Sequence, residues 1–287
     1  MSTARIGIIG GSGLYQMTGL TAVEEVRVGT PFGDPSDAYT IGALDGVRVA
    51  FLPRHGRGHR ILPTELPVRA NIYGFKKLGV EQIISVSAVG SLKEEMAPLH
   101  MVVPNQLIDR TKSRVNSFFG DGLVAHVVFA DPFCPDLSQA VCKAALEAGA
   151  VVHQGGTLVV MEGPLFSTRA ESNLYRSWGA SIIGMTALPE AKLAREAEIC
   201  YAVLASVTDY DCWYEGHEDV TIEMVVANLQ RNAEVSKQVL RRLVSGLTAE
   251  RRCACSTALR NSIVTDRDLI PDETKDNLSL LIGKYVQ

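Results

Sequence analysis

The chain has 287 residues, 46% of them hydrophobic and 21% charged, with a formal net charge of -4. That length and balance suit an ordinary globular protein with a full core, and the acidic balance excludes nucleic acid as the main partner, because a phosphate backbone calls for a basic surface. No stretch reaches the ~18 apolar residues of a membrane span and Met1-Ser-Thr-Ala-Arg-Ile lacks the plan of a signal peptide, so no membrane association and a cytoplasmic location are expected.

Short apolar runs alternate with amphipathic stretches, which predicts an α/β sheet. The first predicted strand, Arg5–Ile9, runs into Gly10-Gly11-Ser12-Gly13-Leu14-Tyr15. Glycines let backbone N–H groups crowd around an anion, and Ser12 adds a hydroxyl; a plain tight turn is the alternative. The run is no dinucleotide fingerprint, since the sixth position from Gly11 is Gln16, and no Gly-Lys-Ser/Thr follows for a P-loop. The second strand, Val47–Leu52, leads into Pro53-Arg54-His55-Gly56-Arg57-Gly58-His59-Arg60. Three arginines and two histidines threaded with glycines suit a cationic clamp for an anion, with a solvated basic loop as the alternative. His55 and His59 have a metal-pair spacing, but the flanking guanidinium groups repel a cation.

A helix over Val68–Leu78 precedes a third strand, Gln82–Val86, which continues through Ser87-Ala88-Val89-Gly90-Ser91. Small residues keep the sheet edge open there, and Ser87 with nearby N–H groups can complete an oxyanion cradle. Then come a strand over Met101–Ile108, a helix over Pro135–Ala148 and a strand over Thr157–Met161. The next loop carries Phe166, able to stack on a base or to pack as core, and Thr168 is the expected N-cap of a helix over Thr168–Trp178. A strand over Ser181–Gly184 ends on Met185-Thr186, and a helix over Leu188–Cys200 follows.

The strand Tyr201–Val207 is apolar along its whole length, the mark of burial on both faces, and it ends in Asp209-Tyr210-Asp211. Open α/β folds place ligands at such strand ends, and residues two apart on an extended chain point the same way. A protonated Asp209 can donate to a ring nitrogen while an ionised Asp211 accepts from an exocyclic amine, the pair an adenine edge offers. A helix over Thr221–Leu247 puts Val225, Leu229, Ala233, Leu240 and Leu243 on one face. Residues 1–247 read as one domain, and 248–287 as an extension docked on it that holds a short helix over Leu280–Val286. The six cysteines, Cys134, Cys142, Cys200, Cys212, Cys253 and Cys255, read as buried free thiols, with a disulfide or metal chemistry as alternatives. Cys253-Ala-Cys255 has neither the C-x-x-C redox spacing nor the paired clusters of a zinc site, so no metal is expected.

Five strand ends thus carry hydroxyl, cationic or carboxylate groups and point to one site with an anion half and a base-reading half. A Rossmann-type oxidoreductase and a non-catalytic adenosine- or phosphate-binding module are the competing readings. Absence of nicotinamide binding excludes the first; turnover with phosphate excludes the second.

The ordered set Gly10-Gly11-Ser12-Gly13-Leu14, Pro53-Arg54-His55-Gly56, Ser87-Ala88-Val89-Gly90-Ser91-Leu92, Gln106-Leu107-Ile108-Asp109-Arg110-Thr111, Asp131-Pro132-Phe133-Cys134, Glu162-Gly163-Pro164, Phe166-Ser167-Thr168-Arg169-Ala170-Glu171-Ser172, Met185-Thr186 and Thr208-Asp209-Tyr210-Asp211-Cys212-Trp213 resembles 5'-methylthioadenosine phosphorylases of the trimeric purine nucleoside phosphorylase superfamily, over roughly residues 5–245. The resemblance implies a single α/β domain with a twisted mixed sheet flanked by helices. It also implies a salvage reaction, the phosphorolysis of 5'-methylthioadenosine to adenine and 5-methylthioribose 1-phosphate, with phosphate as co-substrate and no cofactor. On this resemblance the phosphate contacts fall on Ser12, Arg54, His55, Ser87, Ala88 and Thr186. The nucleoside contacts fall on Phe166, Met185, Asp209 and Asp211, Ile222 aligns with the apolar alkylthio pocket, and His126 reaches a neighbour's pocket in a homotrimer. Two positions depart from the family pattern: Gly184 stands where animal members have Asn before Met-Thr, and Leu165 where they have Arg. The runner-up within the class is a purine nucleoside phosphorylase preferring adenosine or inosine.

Overall fold

The computed structural model describes residues 3–286 apart from 12–13, 15–16, 18, 215–221 and 249, and for 222–225 it describes backbone only. Among the described residues eleven strands form one mixed sheet: β1 Ile6–Gly10, β2 Leu20–Val26, β3 Tyr39–Leu44, β4 Val47–Pro53, β5 Gln82–Ser91, β6 Met101–Val103, β7 Gln106–Arg110, β8 Val152–Gln154, β9 Thr157–Met161, β10 Ile182–Gly184 and β11 Cys200–Tyr210. The helices are α1 Val68–Lys77, α2 Pro135–Glu147, α3 Arg169–Ser177, α4 Ala187–Glu196, α5 Ile222–Gly246, α6 Asp272–Asn277 and α7 Ser279–Ile282.

The apolar strands run through the middle of the sheet as their composition requires. β5 lies between parallel β1 and parallel β11, and β4 flanks β1. Along β11, Tyr201, Val203, Ala205 and Val207 pack in one core with α1 and α4, while Cys200, Ala202 and Leu204 pack in another with α2 and α5. Strand periodicity sends alternate side chains to opposite faces, so helices cover both.

The edge positions the site. β1 pairs with β5 only as far as Val86, and antiparallel β10 takes up the same edge at Gly90 and Ser91. Ser87, Ala88 and Val89 are left on that edge with no strand partner, and Ala88 is exposed. A cavity opens there.

Several expectations need correction. The single strand expected over Met101–Ile108 is two, β6 and β7, which part at Pro104 and Asn105 and join different neighbours. Proline has no N–H for a ladder, so the break falls where the sequence places it. The helix expected over Leu188–Cys200 ends at Glu196, and Leu188 is extended because it precedes Pro189. β2, β3 and β8 were not anticipated, although Asp45-Gly46 between β3 and β4 is a strong hairpin signal. Both residues have positive φ, 48° and 84°, and join Leu44 to Val47 in a two-residue turn of the primed kind. β2 is largely exposed and carries two glutamates, so no apolar run announces it.

The C-terminal residues run across the body of the sheet domain. Leu259, Ile270, Leu278, Leu281 and Ile282 are buried in the α1–α4 core and Cys255 in the α2–α5 core. The terminal helix lies at Ser279–Ile282 rather than Leu280–Val286, and α6 precedes it. No helix among the described residues is long and apolar enough to cross a membrane.

Candidate active site

The cavity holds about 300 Å³ and gathers Arg54, His55, Ser87, Ala88, Phe166, Met185, Thr186, Asp209 and Asp211. The C-terminal ends of β4, β5, β10 and β11 supply most of them, as a switch point in an open sheet does. Ser12 lies outside the described residues, as does the side chain of Ile222, whose backbone begins α5. His126 lies elsewhere, on the wall of a second cavity of about 890 Å³, with its N–H donating to the Ser262 carbonyl at 2.8 Å. The fold does not bring it to Asp209 within one chain.

At the anion half, Arg54 is 1% exposed and grips protein rather than solvent. Its Nε and Nη2 donate to the two oxygens of Glu190 at 2.5 and 3.1 Å, Nη2 to Ser85 Oγ at 2.7 Å, and Nη1 to the Val86 carbonyl at 3.0 Å. Tyr201 Oη donates to the same Glu190 at 2.8 Å. The bidentate fork expected to face an anion is therefore closed on Glu190, and the buried ion pair braces the cavity wall as a net-neutral unit. The basic loop is not a three-arginine clamp: Arg57 pairs with Glu25 at 2.6 Å on the surface, and Arg60 Nε donates to the Arg57 carbonyl at 2.9 Å.

His55 is not a cation either. Its Nδ1 lies 2.8 Å from the Ile61 carbonyl, which can only accept, so Nδ1 carries the proton and Nε2 is left as an acceptor. Burial, then the neighbouring Arg54 guanidinium, pushes its pKa down to about 4, and its ring stacks on His59 at 4.3 Å between centroids. Ser87 Oγ and Thr186 Oγ1 pair at 3.1 Å. Thr186 stands at the N-terminus of α4 without capping it through its side chain, which keeps the hydroxyl in the cavity. Arg114, which the sequence reading passed over, donates Nη1 to the carbonyls of Met185 and Leu188 and Nη2 to that of Glu162, tying together the loops that carry Met185 and Phe166.

The base-reading half depends on a bulge. The β11–β5 register shifts between Val207 and Asp209, so Thr208 is the extra residue. Two asparagines of α5 take the carbonyls there: Asn232 Nδ2 donates to Val207 at 2.9 Å and Asn228 Nδ2 to Thr208 at 2.8 Å. Asp209 then lies opposite Gly90, where a Cβ would stand 3.3 Å from Asp209 Oδ1 and 3.6 Å from Asp211 Cβ. That glycine makes room for both acids. Burial pushes Asp209 up to about 6, opposed by the Thr208 hydroxyl, which donates to Oδ2 at 2.7 Å, and assisted by the charge of Asp211. Asp211 accepts from Ser167 Oγ on both oxygens, at 2.8 and 2.6 Å, while its own N–H donates to the Ser91 carbonyl. Ser167 is fixed in turn because Thr168 caps α3 in a reciprocal box with Glu171, the cap expected from the sequence. Phe166, 77% exposed, stands at the mouth.

Glu190, Tyr201, Arg114, Ser167, Thr208, Asn228 and Asn232 escaped the sequence reading. An acid or amide within a helical pattern reads as solvated surface, and nothing local says that Glu190 is 0% exposed. Ser167 and Thr208 had a signal, since each adjoins a residue already singled out. Gly184 lines the cavity with the position of a Cβ 3.2 Å from Val89 Cγ1, so a larger residue there would need Val89 to move.

Residues 5–245 match the model of the family described as Phosphorylase superfamily. Among curated relatives, the S-methyl-5'-thioadenosine phosphorylase of Geobacter sulfurreducens is 61% identical over 98% of this chain and 99% of its own length, and that of Chloroflexus aurantiacus is 59% identical over 99% of both. Among solved structures, a methylthioadenosine phosphorylase from an antarctic soil metagenomic library superposes with a TM-score of 0.94 at 51% identity, covering 98% of this chain and 99% of that one. The Schistosoma mansoni methylthioadenosine phosphorylase in complex with adenine gives 0.82 at 34% identity over 98% of each chain.

Proposed function

The chain belongs to the phosphorylase superfamily, and from that premise we propose that it splits 5'-methylthioadenosine with inorganic phosphate into adenine and 5-methylthioribose 1-phosphate. It is thus a pentosyltransferase of salvage metabolism. The observation that carries the reading is that one cavity joins a hydroxyl-and-guanidinium end, Ser87, Thr186 and Arg54, to a two-carboxyl end, Asp209 and Asp211.

The chemistry follows from where charge develops. Breaking the N9–C1' bond leaves positive charge on the sugar and negative charge on the purine, so groups that match those charges lower the barrier. Phosphate rests on the Ser87 and Thr186 hydroxyls and the open Ala88 edge, with Ser12 adding its hydroxyl and His55 Nε2 able to accept from a protonated phosphate oxygen. Arg54, closed on Glu190, stiffens the wall on which the anion rests as one of its oxygens attacks C1'. Asp209, whose burial favours the protonated form, gives or shares its proton at N7 of the leaving base. Asp211 accepts from the 6-amino group while the Ser167 hydroxyl holds it in place. Phe166 and Met185 lie against the base, and Ile222 belongs to the pocket for the methylthio group. These steps need no organic cofactor and no metal at the reaction centre.

The working assembly is a cytoplasmic homotrimer in which His126 completes a neighbour's pocket. Its remoteness from Asp209 within one chain supports that reading. A panel of nucleosides assayed with and without phosphate tests the function: strict phosphate dependence with the methylthio substrate is expected, and equal base release in phosphate-free buffer would make this a hydrolase. Light scattering tests the assembly, because a fully active monomer excludes the shared pocket.

A further inference from the structure

At the end of β11 away from the aspartates, three distant segments converge on sulfur. Cys134 is the residue just before α2, Cys200 opens β11, and Cys253 and Cys255 come from the C-terminal residues, the second within the short helical turn Ala254–Thr257. The four sulfurs all lie within 4.8 Å of one another. Cys200 and Cys253 approach to 3.3 Å, well beyond the ~2.05 Å of a disulfide, and all four thiols are free.

Packing alone does not ask for this. Cys142 and Cys212 show what isolated thiols do here: the first points at Gln154 Oε1 at 3.8 Å and the second donates to the Ser167 carbonyl at 3.4 Å. Four sulfurs drawn to one centre are what a tetrahedral thiophilic cation requires. Metal–sulfur bonds of about 2.3 Å place tetrahedral ligands about 3.8 Å apart, and the observed spacing brackets that value. We propose that Cys134, Cys200, Cys253 and Cys255 bind one divalent cation of the zinc class as a closed tetrathiolate site.

Binding exchanges four thiol protons for the cation and leaves a site of net charge -2. Arg195 and Arg260 line the same cavity as Cys253 and Cys255, so cationic groups stand near the thiolates and offset part of that negative charge. Cys253 is half-buried there and the other three ligands are buried, the arrangement of a structural rather than catalytic centre. Nine residue steps along the strand lead from Cys200 to Asp209, about 30 Å at the usual rise, so the metal does not touch the reacting atoms. Its work is to fasten residues 250–258 to the start of β11 and the head of α2. The expectation of no metal from the sequence counted Cys253-Ala-Cys255 alone; Cys134 and Cys200 complete the set from 119 and 53 residues upstream of Cys253.

Elemental analysis of the full chain, purified anaerobically without chelator, tests the site without reference to activity. One zinc per chain is expected, along with the charge-transfer and visible bands of tetrahedral thiolate cobalt after anaerobic exchange with Co(II). Cys253→Ser with Cys255→Ser should abolish both signals, whereas Cys142→Ser with Cys212→Ser should keep them. Should the first pair fail to fold, the wild-type chain still decides, through the mercurial consumed as metal is released: four equivalents per metal ion are expected, one for each thiolate ligand. Three results would overturn the proposal: an intact mass lower by the four hydrogens of two disulfides, free thiols that take up no cobalt, or metal retained by the Cys253→Ser/Cys255→Ser variant.

Discussion

The two halves of the cavity are built in opposite ways. The anion half grows from the middle of the sheet: Arg54, Glu190, Ser85 and Tyr201 are buried and bonded to one another, so its charge is locked before any ligand arrives. The base half hangs on a strand end: a bulge at Thr208, a capped helix behind Ser167, and an exposed Phe166. A removed group should therefore cost stability in the first half and rate or selectivity in the second.

The largest expected effect lies in the base half. Asp209→Asn keeps a hydrogen-bond donor but cannot surrender a proton, so kcat should fall ~10²–10⁴-fold, the usual range for a general acid. Thermal unfolding should be little changed or improved at neutral pH. The sign follows from the raised pKa: the unfolded chain ionises near pH 4 and the folded chain only near 6, so Asp209 withdraws stability as pH rises through that window, and the amide removes the penalty. Near-normal turnover would break the assignment of roles.

Arg54→Ala should show the opposite profile. It leaves Glu190 buried without its charge partner, a change worth about 3–5 kcal/mol of stability, so urea unfolding should register the loss before kinetics do. Arg54→Met with Glu190→Leu removes both charges and should recover much of it. If the single variant unfolds at the wild-type denaturant concentration and only the phosphate KM rises, the anion half is a ligand clamp rather than a framework.

The 5' substituent sharpens the contrast. If Ile222 belongs to the methylthio pocket as proposed, methylthio should be favoured over hydroxyl by ~1–3 kcal/mol, the range of apolar pockets, read as kcat/KM for methylthioadenosine against adenosine. Equal efficiency points to a plain adenosine phosphorylase.

Legibility in the sequence followed the same division. The apolar strands β1, β4, β5 and β11 and the residues at their ends could be read because alternation and strand-end position are local patterns. What could not be read is what those residues lean on. Arg54 announces a cation, but its partner Glu190 lies 136 positions away on a helix, and a fork closed on a carboxylate looks the same in sequence as one open to phosphate. The spacing of Asp209 and Asp211 was legible, yet the bulge that aims them was not, since Thr208 carries no bulge signature. The neutral His55 likewise depends on a carbonyl six residues on, which only the folded loop presents.

Thr208 offers the finest test, because it touches the base half without touching the base. Its hydroxyl donates to Asp209 Oδ2 at 2.7 Å, a bond that favours the ionised carboxylate and partly offsets the effect of burial. Thr208→Val removes that donor, so the Asp209 pKa should rise further above about 6. A hydrogen bond to a charged group contributes on the order of 1.5 kcal/mol, and one pH unit corresponds to about 1.4 kcal/mol, so the shift should be roughly one unit. The free enzyme's kcat/KM needs the protonated acid and declines as pH rises through that pKa. In Thr208→Val the decline should therefore move to higher pH by that amount, while in Asp209→Asn it should vanish, leaving only the limb that belongs to phosphate. A decline unmoved in both variants would show that the descending limb reports another group, and that the proton reaching N7 does not come from Asp209.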